Sequence, residues 1–152
     1  MDIRWDPRYA IGDALIDAEH QALVELAREF AAATAQKDLQ RLTMQLYKYT
    51  REHFAHEEAL MREINYPYYD AHADQHNTML TRLNDVSARI AKNEHHREAI
   101  EAWISEWVVQ HIARADAMLI GYVKKAGAPT TGRLAAQADN HRQWCLPFTI
   151  IH

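Results

Sequence analysis

The sequence predicts an all-α protein, an up-down-up-down antiparallel four-helix bundle with an N-terminal arm and a C-terminal extension. Glycine and proline are sparse, four of each in 152 residues, and they gather toward the two ends. Between them, four successive segments repeat apolar residues at three- and four-residue steps, the period of a helix with one buried face. The breaks between those segments are short, which makes neighbouring helices antiparallel.

Each element follows in order. Residues 1–16 read as an extended arm, with Pro7 and Gly12 breaking any helix. Asp17 is the expected N-cap of a first helix over roughly 18–36, whose apolar positions are Leu23, Leu26, Ala27 and Phe30. The polar stretch Gln36-Lys37-Asp38 is a turn, with Asp38 as the next cap. A second helix, roughly 39–64, sets Leu42, Leu46, Tyr49, His53, Glu57, Leu60 and Ile64 on one face. Asn65-Tyr66-Pro67 stops it, because the residue before proline avoids the helical region. The third helix, roughly 68–92, carries His72, His76, Met79, Leu80, Leu83, Val86 and Ile90, and Asn93 ends it or caps the next. The fourth, roughly 95–125, carries Ile100, Trp103, Ile104, Trp107, Val108, His111, Met118 and Val123, with Gly127 and Pro129 as stop signals. Residues 1–127 thus form one bundle domain. The tail, 128–152, begins small and polar and ends in Trp144, Leu146, Phe148, Ile150 and Ile151. It reads as a segment that docks on the bundle, a protein partner or a second copy, with disorder of its first half as the alternative.

Composition narrows the function classes. A net charge of −4 gives no electrostatic footprint for nucleic acid. No apolar run is long enough for membrane insertion. The start, MDIRWDPRYAIGD, has no apolar signal core, so a cytoplasmic location is expected. Cys145 is the single cysteine, which excludes an intramolecular disulfide.

What remains is a constellation of metal-ligating side chains. HFAHE places His53 and Glu57 four residues apart, and HADQH does the same for His72 and His76. Residues four apart share a helix face, so each pair can chelate one centre. Either pair alone would be an ordinary solvated face. Together they lie on the apolar stripes of the middle two helices, His20 adds a candidate on the first, and His111 and Asp116 add two on the fourth. Five imidazoles and two carboxylates in one core would be costly unless metal absorbed them. No mononuclear site needs seven ligands, whereas two octahedral metals sharing bridging carboxylates would use them all. His111 and Asp116 are five apart, about 140° off a common face in an ideal helix. Either Asp116 reaches around, or the helix widens locally into a π-bulge.

The stretches IDAEH at 16–20, HFAHEEALM at 53–61, HADQH at 72–76 and WVVQHIARAD at 107–116, with Trp5-Asp6 and Tyr66-Pro67, resemble the hemerythrin family of non-haem di-iron oxygen-binding proteins over roughly residues 1–125. The resemblance implies two iron ions, cycling between Fe2+ and Fe3+, with an oxo or hydroxo bridge. It implies that His72, His76 and His111 bind one iron, that His20 and His53 bind the other, and that Glu57 and Asp116 bridge both. It says nothing of the tail.

With each iron six-coordinate, the three-histidine iron is full and the two-histidine iron keeps one open position, where dioxygen could bind end-on and leave again. Neutral imidazoles favour the ferrous state. The oxygen-activating ferritin-like enzymes instead use more carboxylates and a Glu-x-x-His motif, which the second and fourth helices lack. The expected function is therefore reversible oxygen binding, for storage, transport or delivery, rather than enzymatic turnover. The alternatives are a di-iron redox enzyme, of peroxidase or nitric oxide-handling type, and an oxygen or redox sensor. An apolar pocket would keep protons from bound oxygen, and Val108, Trp107, Phe54 and Met61 are its lining candidates. His56 flanks the chelating pair and reads as a supporting or surface residue. Val108 leaves a wider path than leucine would, so Val108→Leu is expected to change the autoxidation rate of the oxygenated protein, followed by the decay of its visible band.

Overall fold

The computed structural model of the chain describes residues 4–10, 12–94 and 97–126, without the side chains of Val108 and Val109. The expected tail at 128–152, with Cys145 and its proposed partner, lies outside the described residues, as does the side chain of Val108.

The described chain is helical throughout. A 3-10 turn, Pro7–Tyr9, precedes α1 (Ala14–Ala32), α2 (Gln36–Glu63) and α3 (Tyr69–Ala91). The fourth helix, α4, is continuous over 97–125 but changes its winding. Arg97–Ser105 is α-helical, Glu106–Asp116 is a π-helix, and Ala117–Lys125 is α-helical again. Helices α1 and α2, α2 and α3, α3 and α4, and α4 and α1 pack against each other, which closes the four-helix bundle. None of the described helices is long and apolar enough to cross a membrane.

Several boundaries differ from the sequence expectation, each for a physical reason. Helix α1 is capped by Asp13 rather than Asp17. Asp13 Oδ1 accepts from the N–H groups of Leu15 and Ile16 at 3.1 and 3.0 Å, while Asp17 Oδ2 accepts from Gly12 N–H at 3.1 Å. The two aspartates divide the unpaired donors of one helix start between them. Helix α2 begins at Gln36, with no side-chain cap, instead of behind Asp38. The amide of Gln36 is committed across the bundle, donating to the carbonyl of Ile90 at the end of α3. Arg97 does the same for the end of α1, donating to the carbonyls of Ala31 and Ala33. The loose carbonyls of two helix ends are thus satisfied by side chains from the next helix starts.

The end of α2 is closed locally, and that of α3 is closed locally as well as by Gln36. Asn65 and Asn93 have φ of +52° and +59°. After α2, Asn65 N–H bonds Arg62 O at 3.2 Å and Tyr66 N–H bonds Met61 O at 2.9 Å. After α3, Asn93 N–H bonds Ile90 O at 2.9 Å and Glu94 N–H bonds Arg89 O at 2.8 Å. Both are Schellman closures with asparagine in the left-handed position that glycine usually takes. Asn93 therefore ends α3 and does not cap α4.

Two apolar clusters form the core. The larger includes Leu23, Leu46, Phe54, Leu83, Ile104, Trp107 and Ile112. The smaller joins Ile16, Met61, Tyr66, Leu119, Ile120 and Val123. Along every helix but α3 a polar layer separates them: His20 lies between Ile16 and Leu23, Glu57 between Phe54 and Met61, and Asp116 between Ile112 and Leu119. Trp103 Nε1–H donates to Met79 O at 3.0 Å and ties α4 to α3 beside that layer.

A left-handed residue with a Cβ costs about 1–2 kcal/mol where asparagine's local hydrogen bonding is absent. Asn65→Ala and Asn93→Ala are each expected to lose about 1 kcal/mol, and the glycine variants to keep wild-type stability. Urea melts at fixed metal content measure both, and an alanine variant as stable as its glycine counterpart would refute the closure.

Candidate metal centre

The seven residues singled out by their spacing meet in the buried polar layer. His20 comes from α1, His53 and Glu57 from α2, His72 and His76 from α3, and His111 and Asp116 from α4, and all are buried. The π-helix resolves the five-residue spacing on α4. Its wider turn carries the residue five positions on back over the starting one, as four positions do in an α-helix. His111 Nε2 consequently lies 2.9 Å from Asp116 Oδ1.

The two carboxylates stand at the middle and face both ways. Glu57 Oε1 is 3.0 Å from His53 Nε2 and 3.6 Å from His20 Nε2. Its other oxygen, Oε2, is 3.0 Å from His76 Nε2, 3.4 Å from His72 Nε2 and 3.8 Å from His111 Nε2. Asp116 divides in the same sense. Its Oδ2 is 3.0 Å from His20 Nε2, while Oδ1 is 2.9 Å from His111 and 3.2 Å from His72. One set of donor atoms, from Glu57, His72, His76, His111 and Asp116, lies within a 4.8 Å span. A second set, from His20, His53, Glu57 and Asp116, does so too.

Apart from His76 Nε2 and His111 Nε2, which are 3.1 Å apart and share a hydrogen bond, these atoms are close without being hydrogen-bonded. Both oxygens of Glu57 and of Asp116, and Nε2 of His20, His53 and His72, are buried with no hydrogen-bond partner among the described residues. A buried polar atom left in that state costs about 1–3 kcal/mol, and more when charged. Adjacent ligands at about 2.1 Å from an octahedral ion stand about 3 Å apart, the spacing most of these neighbours have. Imidazole nitrogen with carboxylate oxygen is a donor set for first-row divalent ions. The residues fit a pair of metal ions, one on each side of the two carboxylates.

Residues 12–123 match the Hemerythrin HHE cation binding domain. The chain belongs to the hemerythrin family. It is 29% identical over 125 residues to the bacteriohemerythrin of Stenotrophomonas maltophilia, covering 79% of this chain and 80% of that one. It is 29% identical over 122 residues to the bacteriohemerythrin of Pseudomonas aeruginosa, covering 78% of each chain. With that of Campylobacter jejuni it shares 24% over 121 residues, covering 76% of this chain and 91% of the relative. No solved structure gives a significant match. The bundle is therefore a hemerythrin-type metal-binding domain.

Around this hemerythrin centre a second ring of side chains holds the outer nitrogens of the imidazoles. His53 Nδ1–H donates to Glu19 Oε2 at 2.6 Å, and His56 Nδ1–H donates to Glu19 Oε1 at 2.5 Å. His76 Nδ1–H donates to Glu58 Oε1 at 2.9 Å, and His111 Nδ1–H to Gln75 Oε1 at 3.3 Å. Each bond fixes the tautomer that leaves Nε2 bare toward the centre. Glu19, Glu58 and Gln75 were not singled out from the sequence. Glu19 was findable, because Ile16, Glu19, Leu23, Leu26 and Phe30 keep three- and four-residue steps that place it on the buried stripe.

The lining candidates fall on two sides. Phe54 stacks face to face on His76, with ring centroids 3.8 Å apart, and shares the larger apolar cluster with Trp107. Met61 packs in the smaller cluster, one turn beyond Glu57. A surface groove of about 430 Å³ between α3 and α4, lined by Gln75, Met79, Gln110 and Met118 among others, reaches His111.

Without metal, protons do the work of the missing cations. Burial pushes the His111 imidazolium down, but Asp116 and Glu57 outweigh it and raise its pKa to about 9. Burial is likewise overcome at His53, His20 and His72, which the same carboxylates and Glu19 hold above the usual histidine range. His76 goes the other way, because burial wins over Glu57 there. Glu57 and Asp116 are pulled below the usual carboxylate range by their histidines, against burial.

The sign of the pH dependence follows. Raised histidines stabilise the metal-free fold below their unfolded value of about 6.5, and that contribution is lost as pH rises through about 9 at His111. Lowered carboxylates contribute above about pH 4 and lose that contribution as pH falls. The metal-free protein is therefore expected to melt highest near pH 5–6 and to weaken steadily toward pH 9. Metal replaces these protons, so loading with a divalent ion at pH 7 in weak buffer should release protons, and fewer at pH 9.5. Melts of metal-free protein that stay flat from pH 6 to 9 would contradict this charge assignment.

Proposed function

We propose that the centre holds two non-haem iron ions and binds dioxygen reversibly, for oxygen storage, transport or delivery. The observation that carries this reading is the division of labour at Glu57 and Asp116. Each turns one oxygen to His20 or His53 and the other toward the His72, His76 and His111 set. That arrangement suits two bridged ions with unequal shells. His72, His76 and His111 would hold one iron and His20 and His53 the other, with Glu57 and Asp116 between them.

Two ferrous ions would supply the electrons that dioxygen binding draws on and recover them on release. The protein's part is to make one side able to accept a ligand and the surroundings unable to drain it. Three imidazoles against two leaves the side of His20 and His53 one donor short, which is where an outside ligand has room. Five neutral imidazoles hold the charge of the shell low and favour the reduced ions. Glu19, Glu58 and Gln75 hold the Nδ1 protons of His53, His76 and His111 away from the centre. Apolar clusters above and below the layer limit the water and protons that reach it, and the groove at His111 is its open flank.

The test is iron content with the visible spectrum, taken reduced under nitrogen, then in air, then under nitrogen again. Two irons per chain and a visible band that appears with oxygen and vanishes on its removal are expected. A one-way change would favour a di-iron redox enzyme or redox sensor, and absence of iron after anaerobic reconstitution would end the di-iron reading.

A further inference from the structure

We propose that Glu19, clamped by His56, is the positioning residue that keeps the second iron in place and sets its reduction potential. The inference rests on the two-iron reading above and concerns the side with only His20 and His53.

That side has a single brace. His20 Nδ1 is buried and finds no hydrogen-bond partner among the described residues. His53 Nδ1–H donates to Glu19 Oε2 at 2.6 Å, so among the described residues Glu19 alone orients an imidazole there. The opposite side has two braces, Glu58 on His76 and Gln75 on His111. The side with fewer ligands thus depends most on one outer contact.

Glu19 is suited to carry that load. It is 1% exposed, and its second oxygen is taken by His56 Nδ1–H at 2.5 Å. With both oxygens bonded the carboxylate cannot turn away from His53. Glu19 also adjoins His20 in α1, whereas His53 and His56 are on α2. One side chain therefore locks together the two helices that supply this iron's imidazoles. Its charge matters separately from its shape. An anionic acceptor on the Nδ1 proton makes the imidazole a stronger donor at Nε2 and favours the oxidised metal. Glu58, the carboxylate of the other side, is a quarter exposed, and solvent weakens its effect.

The experiment is an anaerobic Fe2+ titration of the full chain, prepared metal-free, as wild type, Glu19→Ala and Glu19→Gln, followed by potentiometry of the loaded proteins. Wild type should bind two irons; failure at this step removes the two-iron reading and this proposal together. Glu19→Ala should keep one iron at an affinity within about threefold of wild type and bind the other about 10- to 100-fold more weakly. Glu19→Gln keeps an oxygen acceptor for the His53 proton but not the charge. It should hold both irons and shift one of the two potentials to more positive values. If Glu19→Ala loses both irons equally, or neither, with wild type intact, the proposal is wrong while the two-iron reading stands. If Glu19→Ala does not fold, Glu19→Gln decides, and two unchanged potentials in that variant overturn the proposal.

Discussion

Two carboxylates buried among five imidazoles are the constraint on which the rest of the structure depends. Glu57 and Asp116 are fully enclosed and have no hydrogen-bond partners for any of their four oxygens among the described residues. Enclosing a charged carboxylate costs several kcal/mol even after a protein relaxes around it. Two of them, each close to the same histidines, make the layer untenable unless positive charge is supplied. His111 and its neighbours, held above the usual histidine range, supply it as protons in the metal-free chain, and the same donor atoms could hold metal ions instead. Folding and metal loading are coupled through that one requirement.

The backbone bends to meet it. An unbroken α-helix would turn Asp116 away from His111, so α4 widens over Glu106–Asp116 and then resumes ordinary winding. Asp116 thereby reaches both histidine groups, which Glu57 already touches from α2. The apolar clusters on either side continue the bundle's packing past the polar layer. On the proposed two-iron reading, the unequal count of imidazoles, three against two, leaves one side a donor short. Glu19 and His56 then appear as the support that the poorer side needs.

Much of this was legible in the residues. The helical period exposed all four helices, and the His and Glu pairs exposed the layer because polar ligands occupied positions that the period reserved for the core. The five-residue gap between His111 and Asp116 signalled a defect in the helix, but only the packed bundle shows the wider winding. Apart from Trp5-Asp6, the stretches that carried the resemblance to hemerythrins lie within the residues that the family match covers. Helix starts were less legible. Asp13 and Asp17 are equally good caps by residue type, and only the assembled helix start shows Asp13 on Leu15 and Ile16 and Asp17 on Gly12. Gln36 begins α2 because its amide finds Ile90 across the bundle, a long-range contact no local pattern carries. Glu19 could be found from its place on the buried stripe of α1, whereas Glu58, beside Glu57, reads as a surface charge until the helices are assembled.

The most direct test of the central claim is anomalous diffraction at the iron edge from crystals of the loaded protein. Two peaks about 3–4 Å apart are expected, one among His72, His76 and His111 and the other beside His20 and His53, with Glu57 and Asp116 between them. A single peak, or two that leave either carboxylate uninvolved, would contradict the account.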